Sequence, residues 1–193
     1  MKKRVCVFCG SSAGLSERYA EAARATGLAI ARRGLGLVYG GGRVGLMGHL
    51  ADSALAAGGE VVGVIPKALF ERELGHTGVT DLRVVRSMHE RKAVMADLSD
   101  AFLALPGGFG TLDEFCEVLT WAQLGLHRKP CALLNVGGYF DPLLALFENA
   151  VREGFLAKAH QALVKAGPNP EALVEALASS ALRPEPARGK NLR

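Results

Sequence analysis

Apolar residues along this chain gather in short continuous runs. Between the runs lie longer stretches in which apolar positions recur every three or four residues. The runs cover 4–9, 35–39, 61–65, 82–85, 101–105 and 131–135, with a weaker one at 162–165. They are apolar throughout rather than alternating, which is the pattern of strands covered on both faces. Helical spacing in the intervening stretches predicts helices near 16–33, 44–57, 87–99, 111–124, 140–153 and 169–179, with a short extra turn at 67–74. Strands alternating with helices predict an α/β protein with a Rossmann-like three-layer fold: a central parallel sheet with helices on both faces. No repeat or linker interrupts the pattern, so residues 1–180 read as one domain. Residues 181–193, with Pro184, Pro186 and Gly189, read as a disordered basic tail.

Composition adds limits to this picture. Hydrophobic residues make up 49% of the 193, enough for a sizeable core without covalent staples. No apolar run approaches the roughly 18 to 20 residues of a membrane span. The basic start, MKKRVCVFCG, carries too short an apolar stretch for a secretory signal, so a cytoplasmic protein without a membrane partner is expected. The formal net charge of +4 is concentrated in Lys2, Lys3 and Arg4 and in the tail, leaving a slightly acidic body. That distribution offers no basic face for nucleic acid. Cys6 and Cys9 form a CxxC, but they sit in a strand-like run, where residues three apart face opposite ways. Neither redox nor zinc chemistry is expected of them, and no metal site is visible elsewhere.

Ligands of open parallel sheets bind beyond the carboxyl ends of the strands, so the turns there carry the candidate chemistry. Three such turns are rich in small residues: CGSS (9–12), YGGGRVGLMG (39–48) and PGGFGT (106–111). The second contains G-x-G-x-x-G through Gly40, Gly42 and Gly45. It follows the second strand, and no acid near the end of the third is placed to hold a ribose, so a dehydrogenase reading is weak. A close-packed or nucleotide-lined turn is the other reading. In the third turn, Gly107, Gly108 and Gly110 let successive N–H groups converge on an anion at a helix start, and Thr111 adds a hydroxyl. No Gly-Lys-Ser/Thr follows, so this is not a triphosphate loop. The sequence TLDE at 111–114 also fits a capping box, with Thr111 as N-cap and Glu114 reaching back. A cap, however, does not require three preceding glycines. Finally, Arg91 falls on the apolar stripe shared by Met88, Val94, Met95 and Leu98, and a buried arginine there needs a carboxylate or a phosphate as partner.

The combination resembles the lonely-guy family of cytokinin-activating phosphoribohydrolases. The motif P-G-G-x-G-T-x-x-E stands here at 106–114, and M-H-x-R-K at 88–92. The likeness continues through GVIPKAL, REL, TWAQLGLH and LLNVGGYFDPLL, covering roughly residues 4–180. It implies a homodimer that hydrolyses the N-glycosidic bond of adenosine 5′-monophosphate or its N6-modified, cytokinin forms, with no metal or organic cofactor. It also implies Arg91 and Glu114 as the catalytic pair. Glu73, Met88, Lys92, Gly107, Gly108, Phe109, Gly110, Thr111, Leu112, Asp113 and Thr120 would line the substrate. Whether Arg91 grips phosphate, orients Glu114 or assists the leaving base stays open. Two rivals remain: a non-catalytic nucleotide binder on the same fold, and a pyridoxal-phosphate lysine decarboxylase, a label attached to sequences with this motif. No lysine here is singled out for a Schiff base.

Overall fold

In a computed structural model, residues 2–70 and 75–181 are described. The elements follow as β1 (Arg4–Phe8), α1 (Glu17–Arg32), β2 (Gly36–Tyr39), α2 (Gly45–Ala56), β3 (Glu60–Pro66), α3 (Lys67–Phe70) and β4 (Asp81–Val85). Then come α4 (Met88–Asp97), β5 (Ala101–Ala104), α5 (Phe109–Gln123), β6 (Cys131–Leu134), α6 (Asp141–Arg152), α7 (Lys158–Gln161), β7 (Val164–Gly167) and α8 (Pro170–Ala181). Each predicted strand exists within a residue or two. The short α7 escaped the periodicity because four residues carry too little of it. The expected extra turn at 67–74 is seen as far as Phe70; the rest of it, with Glu73, lies outside the described residues, as does the tail.

Among the described residues all seven strands are parallel, in the order β4-β3-β2-β1-β5-β6-β7. Central strands are buried along their whole length, whereas the edge strands β4 and β7 are partly open. Alternate side chains feed two cores. Val5, Val7, Leu37 and Leu103 pack with α1, α2 and α8. Cys6, Phe8, Val38 and Phe102 pack with α4, α5 and Phe140. Cys6 thus belongs to one core and Cys9 to the other, as the strand geometry of the CxxC required.

The strand order fixes where a ligand can enter. The chain builds outward from β1 to β4, then β5 crosses back to the other side of β1. The segments leaving β1 and β5 therefore diverge to opposite faces, opening a crevice at the switch point. Cys9 to Ser11 leave β1 there, and Pro106 to Gly108 leave β5. Leu105 N donates to Phe8 O at 2.9 Å and Gly10 N to Pro106 O at 3.1 Å, so the two turns are laced together at the floor of the crevice.

Candidate active site

The helix after β5 begins earlier than the sequence suggested. α5 starts at Phe109, with Gly108 as its N-cap and no side-chain capping bond. Thr111 and Glu114 lie inside the helix, so the capping box that TLDE also fits is absent. The physical reason is that the glycine backbone itself turns into the helix, which carries the free N–H groups of the first turn up to the crevice. The three loop glycines serve different ends. A Cβ on Gly107 would strike Thr111 Oγ1 at 2.1 Å and Gly10 N at 2.8 Å, so this residue is glycine for packing. A Cβ on Gly108 or Gly110 would meet nothing within 4 Å, and neither residue needs a positive φ. The fold does not demand glycine at these two positions. They leave the helix N-terminus bare toward a cavity.

That cavity, of about 220 Å³, is lined by Cys9, Gly10, Ser11, Met47, Arg91, Gly108, Phe109, Gly110, Thr111 and Glu114. Arg91 from α4 and Glu114 from α5 are both buried, and their side chains pair at 3.6 Å. Arg91 is held from behind by backbone. Its Nε donates to Val64 O at 3.2 Å and its Nη2 to Gly40 O at 3.0 Å, which leaves Nη1 beside Glu114 and, at 3.8 Å, Met88 Sδ. A carbonyl just past β2 and one within β3 thus aim the guanidinium at the carboxylate. Of the three roles left open for Arg91, this anchoring favours orienting Glu114.

The same contacts explain the G-x-G-x-x-G turn. A Cβ on Gly40 would sit 2.1 Å from Arg91 Nη2. Gly45, with φ +60°, would strike Ser11 backbone at 2.3 Å. These glycines admit the arginine and let α2 dock on the β1 turn; the turn is a buttress. Gly40, Ser11 and Met47 were not among the expected site residues, although both of their turns had been marked by their small residues. Gly40→Ala should displace Arg91, lowering turnover at least about tenfold. Combined with Arg91→Ala it should cost little more than Arg91→Ala alone, because both changes remove one interaction. Steady-state kinetics on the two single variants and the double variant check this.

Phe109 stands exposed at the cavity mouth, and Met88 is exposed at the start of α4. Lys92 and Asp113 face away from the cavity toward each other: Lys92 Nζ is 3.1 Å from Asp113 Oδ2 and 3.1 Å from Glu117 Oε1. Partial burial pulls the Lys92 pKa down, but hydrogen bonds and charge from Glu117 and Asp113 outweigh it and hold the ammonium above the ordinary lysine value. Leu112 packs against the core. Thr120 donates to Cys116 O and lines a separate apolar groove of about 250 Å³ with Leu119, Phe147 and Phe155. Cys9 does border the cavity. Burial, with the Glu114 charge adding, pushes its pKa far up, so it stays a neutral thiol and not a nucleophile.

A profile of the family described as "possible lysine decarboxylase" matches residues 47–177. A cytokinin riboside 5′-monophosphate phosphoribohydrolase of Rhodococcoides fascians is 56% identical over 163 residues, 84% of this chain and 82% of that one. One from Arabidopsis thaliana is 47% identical over 188 residues, 97% of this chain and 88% of its own. The chain belongs to this family of N-glycosidic hydrolases. Among solved structures, the molybdenum cofactor binding protein of Rippkaea orientalis shares the fold with a TM-score of 0.70 and 27% identity, over 93% of this chain and 98% of that one. The decarboxylase wording in the family's description does not fit the site. Among the described residues lining the cavity there is no lysine, and the neighbouring Lys92 is kept protonated by two carboxylates. Pyridoxal phosphate would need a lysine amine free to form its Schiff base.

Proposed function

We propose that the protein hydrolyses the N-glycosidic bond of N6-modified adenosine 5′-monophosphates, the cytokinin nucleotides, and of AMP itself, releasing free base and ribose 5-phosphate. The observation that carries this reading is the placing of a buried, arginine-paired carboxylate in the same cavity as a bare helix N-terminus. The N-terminus of α5 suits a 5′-phosphate, because its N–H groups and partial positive charge converge there. Glu114 lies five residues along the helix from Phe109, about 7.5 Å at 1.5 Å per residue. That span matches a ribose 5-phosphate laid along the cavity with its anomeric carbon toward Glu114.

The chemistry follows from that alignment. Departure of the base from C1′ builds an oxocarbenium-like sugar. Glu114 takes a proton from water as the water oxygen bonds to C1′. The C1′–N9 pair leaves with the base, which gains a proton in turn, so Glu114 is returned as carboxylate. Arg91 holds the carboxylate in place and offsets its repulsion of the phosphate. General base catalysis of this kind contributes about 10²- to 10⁴-fold. A non-catalytic binder would need the bare N-terminus but not Glu114 buried beside it. Incubating the protein with a panel of nucleoside 5′-monophosphates and separating the products tests the proposal. Free adenine or N6-substituted adenine with equimolar ribose 5-phosphate is expected; intact nucleotide throughout would refute it.

We also infer a homodimer. α6 has no buried residue, Phe155 is exposed in the groove that holds Thr120, and Leu146 of α6 and Leu124 and Leu126 after α5 are exposed as well, each near in sequence to a residue that lines the groove. Exposed large apolar side chains around an apolar groove are the mark of an interface. Trp121 is half-buried against the core, so the exposed leucines and Phe155 carry this reading. Light scattering should give twice the chain mass at micromolar concentration.

A further inference from the structure

Behind the phosphate loop, on the α1 side, lies a second cavity of about 310 Å³ bordered by Tyr19, Tyr139, Gly107 and Gly108. Across it the Tyr139 hydroxyl donates to Gly107 O at 2.6 Å. Nothing in the catalytic scheme uses this bond. Its effect follows from the planarity of the peptide. In a trans peptide the carbonyl and the next residue's N–H point in opposite directions. With the Gly107 carbonyl fixed toward Tyr139, the Gly108 N–H is turned away from Tyr139, and Gly108 also lines the cavity of Glu114. This peptide is flanked by glycine on both sides, so the backbone itself sets little preference between the two orientations.

Tyr139 is itself rigidly presented. It follows Gly137 and Gly138, with φ of +57° and +78°, which return the chain toward the loop. The turn is closed by Asn135 Nδ2 donating to Asp141 Oδ1 at 2.7 Å and by Phe140 N donating to Asn135 Oδ1 at 2.7 Å. The Tyr139 ring stands edge-on to Tyr19 at 5.9 Å, and Arg18 donates to the Tyr19 hydroxyl at 2.9 Å while lying over its ring.

We infer that Tyr139 is a positioning residue for the phosphate: its hydroxyl locks the Gly107–Gly108 peptide so that the Gly108 N–H joins those of α5 in an anion cradle. The inference rests on the proposed nucleotide site, and it concerns binding of the phosphate, not the bond-breaking step. Tyr139→Phe removes one oxygen and keeps the ring contact with Tyr19. Calorimetry with ribose 5-phosphate and with inorganic phosphate is the test, beside nucleotide kinetics and thermal melting. The variant should bind both anions about tenfold more weakly, the factor for one lost hydrogen bond. KM for nucleotide should rise more than kcat falls, and the melting temperature should hold. Tyr139→Ala should weaken anion binding no further than Tyr139→Phe if the hydroxyl is what counts. Equal anion affinity in wild type and Tyr139→Phe would overturn the inference while leaving the hydrolase reading intact. Weaker anion binding in the variant of a protein that cleaves no nucleotide would support the inference and defeat the hydrolase reading. No anion binding by wild type would overturn the cradle and Tyr139's role together.

Discussion

Removing the 5′-phosphate should cost the enzyme at least about 10³-fold in kcat/KM, with adenosine compared against AMP. Several charge-assisted hydrogen bonds from the N-terminus of α5 would be lost, each about 1.5 to 3 kcal/mol. Roughly 4 kcal/mol corresponds to that factor in rate. In the proposed mechanism the phosphate is remote from the bond that breaks, so its binding energy would serve to hold the sugar against Glu114 and would lower the barrier as well as KM. Gly110→Ala sharpens the test. A Cβ there meets no protein atom within 4 Å and the φ is not positive, so the fold has no objection to it. Alanine is the better helix former, by up to about 1 kcal/mol. The variant should therefore be as stable as wild type or more so, yet lose AMP turnover much more than adenosine turnover. Similar kcat/KM for the two substrates in wild type would mean that the bare N-terminus serves something other than phosphate.

Glu114→Gln should lower turnover by at least about 10²-fold while phosphate binding is kept. The amide fills the same space but cannot take the proton from water. Arg91 would lose the charge facing its Nη1, but its bonds to Gly40 O and Val64 O hold it in place. Breaking a buried pair by removing one charge ordinarily costs several kcal/mol. The two carbonyls should reduce that here, and a modest drop in melting temperature is expected. Removing a negative charge beside the phosphate site should leave ribose 5-phosphate bound as tightly as before or more tightly. Calorimetry with ribose 5-phosphate on this variant therefore separates a chemical loss from a structural one. Near-normal turnover would assign Glu114 to holding Arg91 in the fold and would remove the carboxylate from the mechanism.

Much of this protein was legible before its fold was known. Uninterrupted apolar runs meant strands buried on both faces, and their alternation with helices meant a parallel sheet, because each signal is local. A glycine-rich turn after the fifth run had to lie at the carboxyl edge, where ligands bind. An arginine on an apolar stripe had to find a partner. The sequence could not say which partner. Asp113 and Glu114 are neighbours in the chain, but successive residues on a helix point about 100° apart. Only the packing of α5 against α4 turned Glu114 inward to Arg91 and left Asp113 outside with Lys92. Local pattern also favoured a helix start at Thr111, because it registers side chains suited to capping. The start at Phe109 was set by glycine backbone, which carries no such signal. The second glycine-rich turn matched a nucleotide motif, yet its Gly40 is small because an arginine 51 residues away occupies the space a side chain would take. Elements are written in short-range periodicity. The site is written in contacts between segments far apart in the chain, and these exist only once the strand order has brought β1 beside β5 and α4 and α5 share one core on the same face of the sheet.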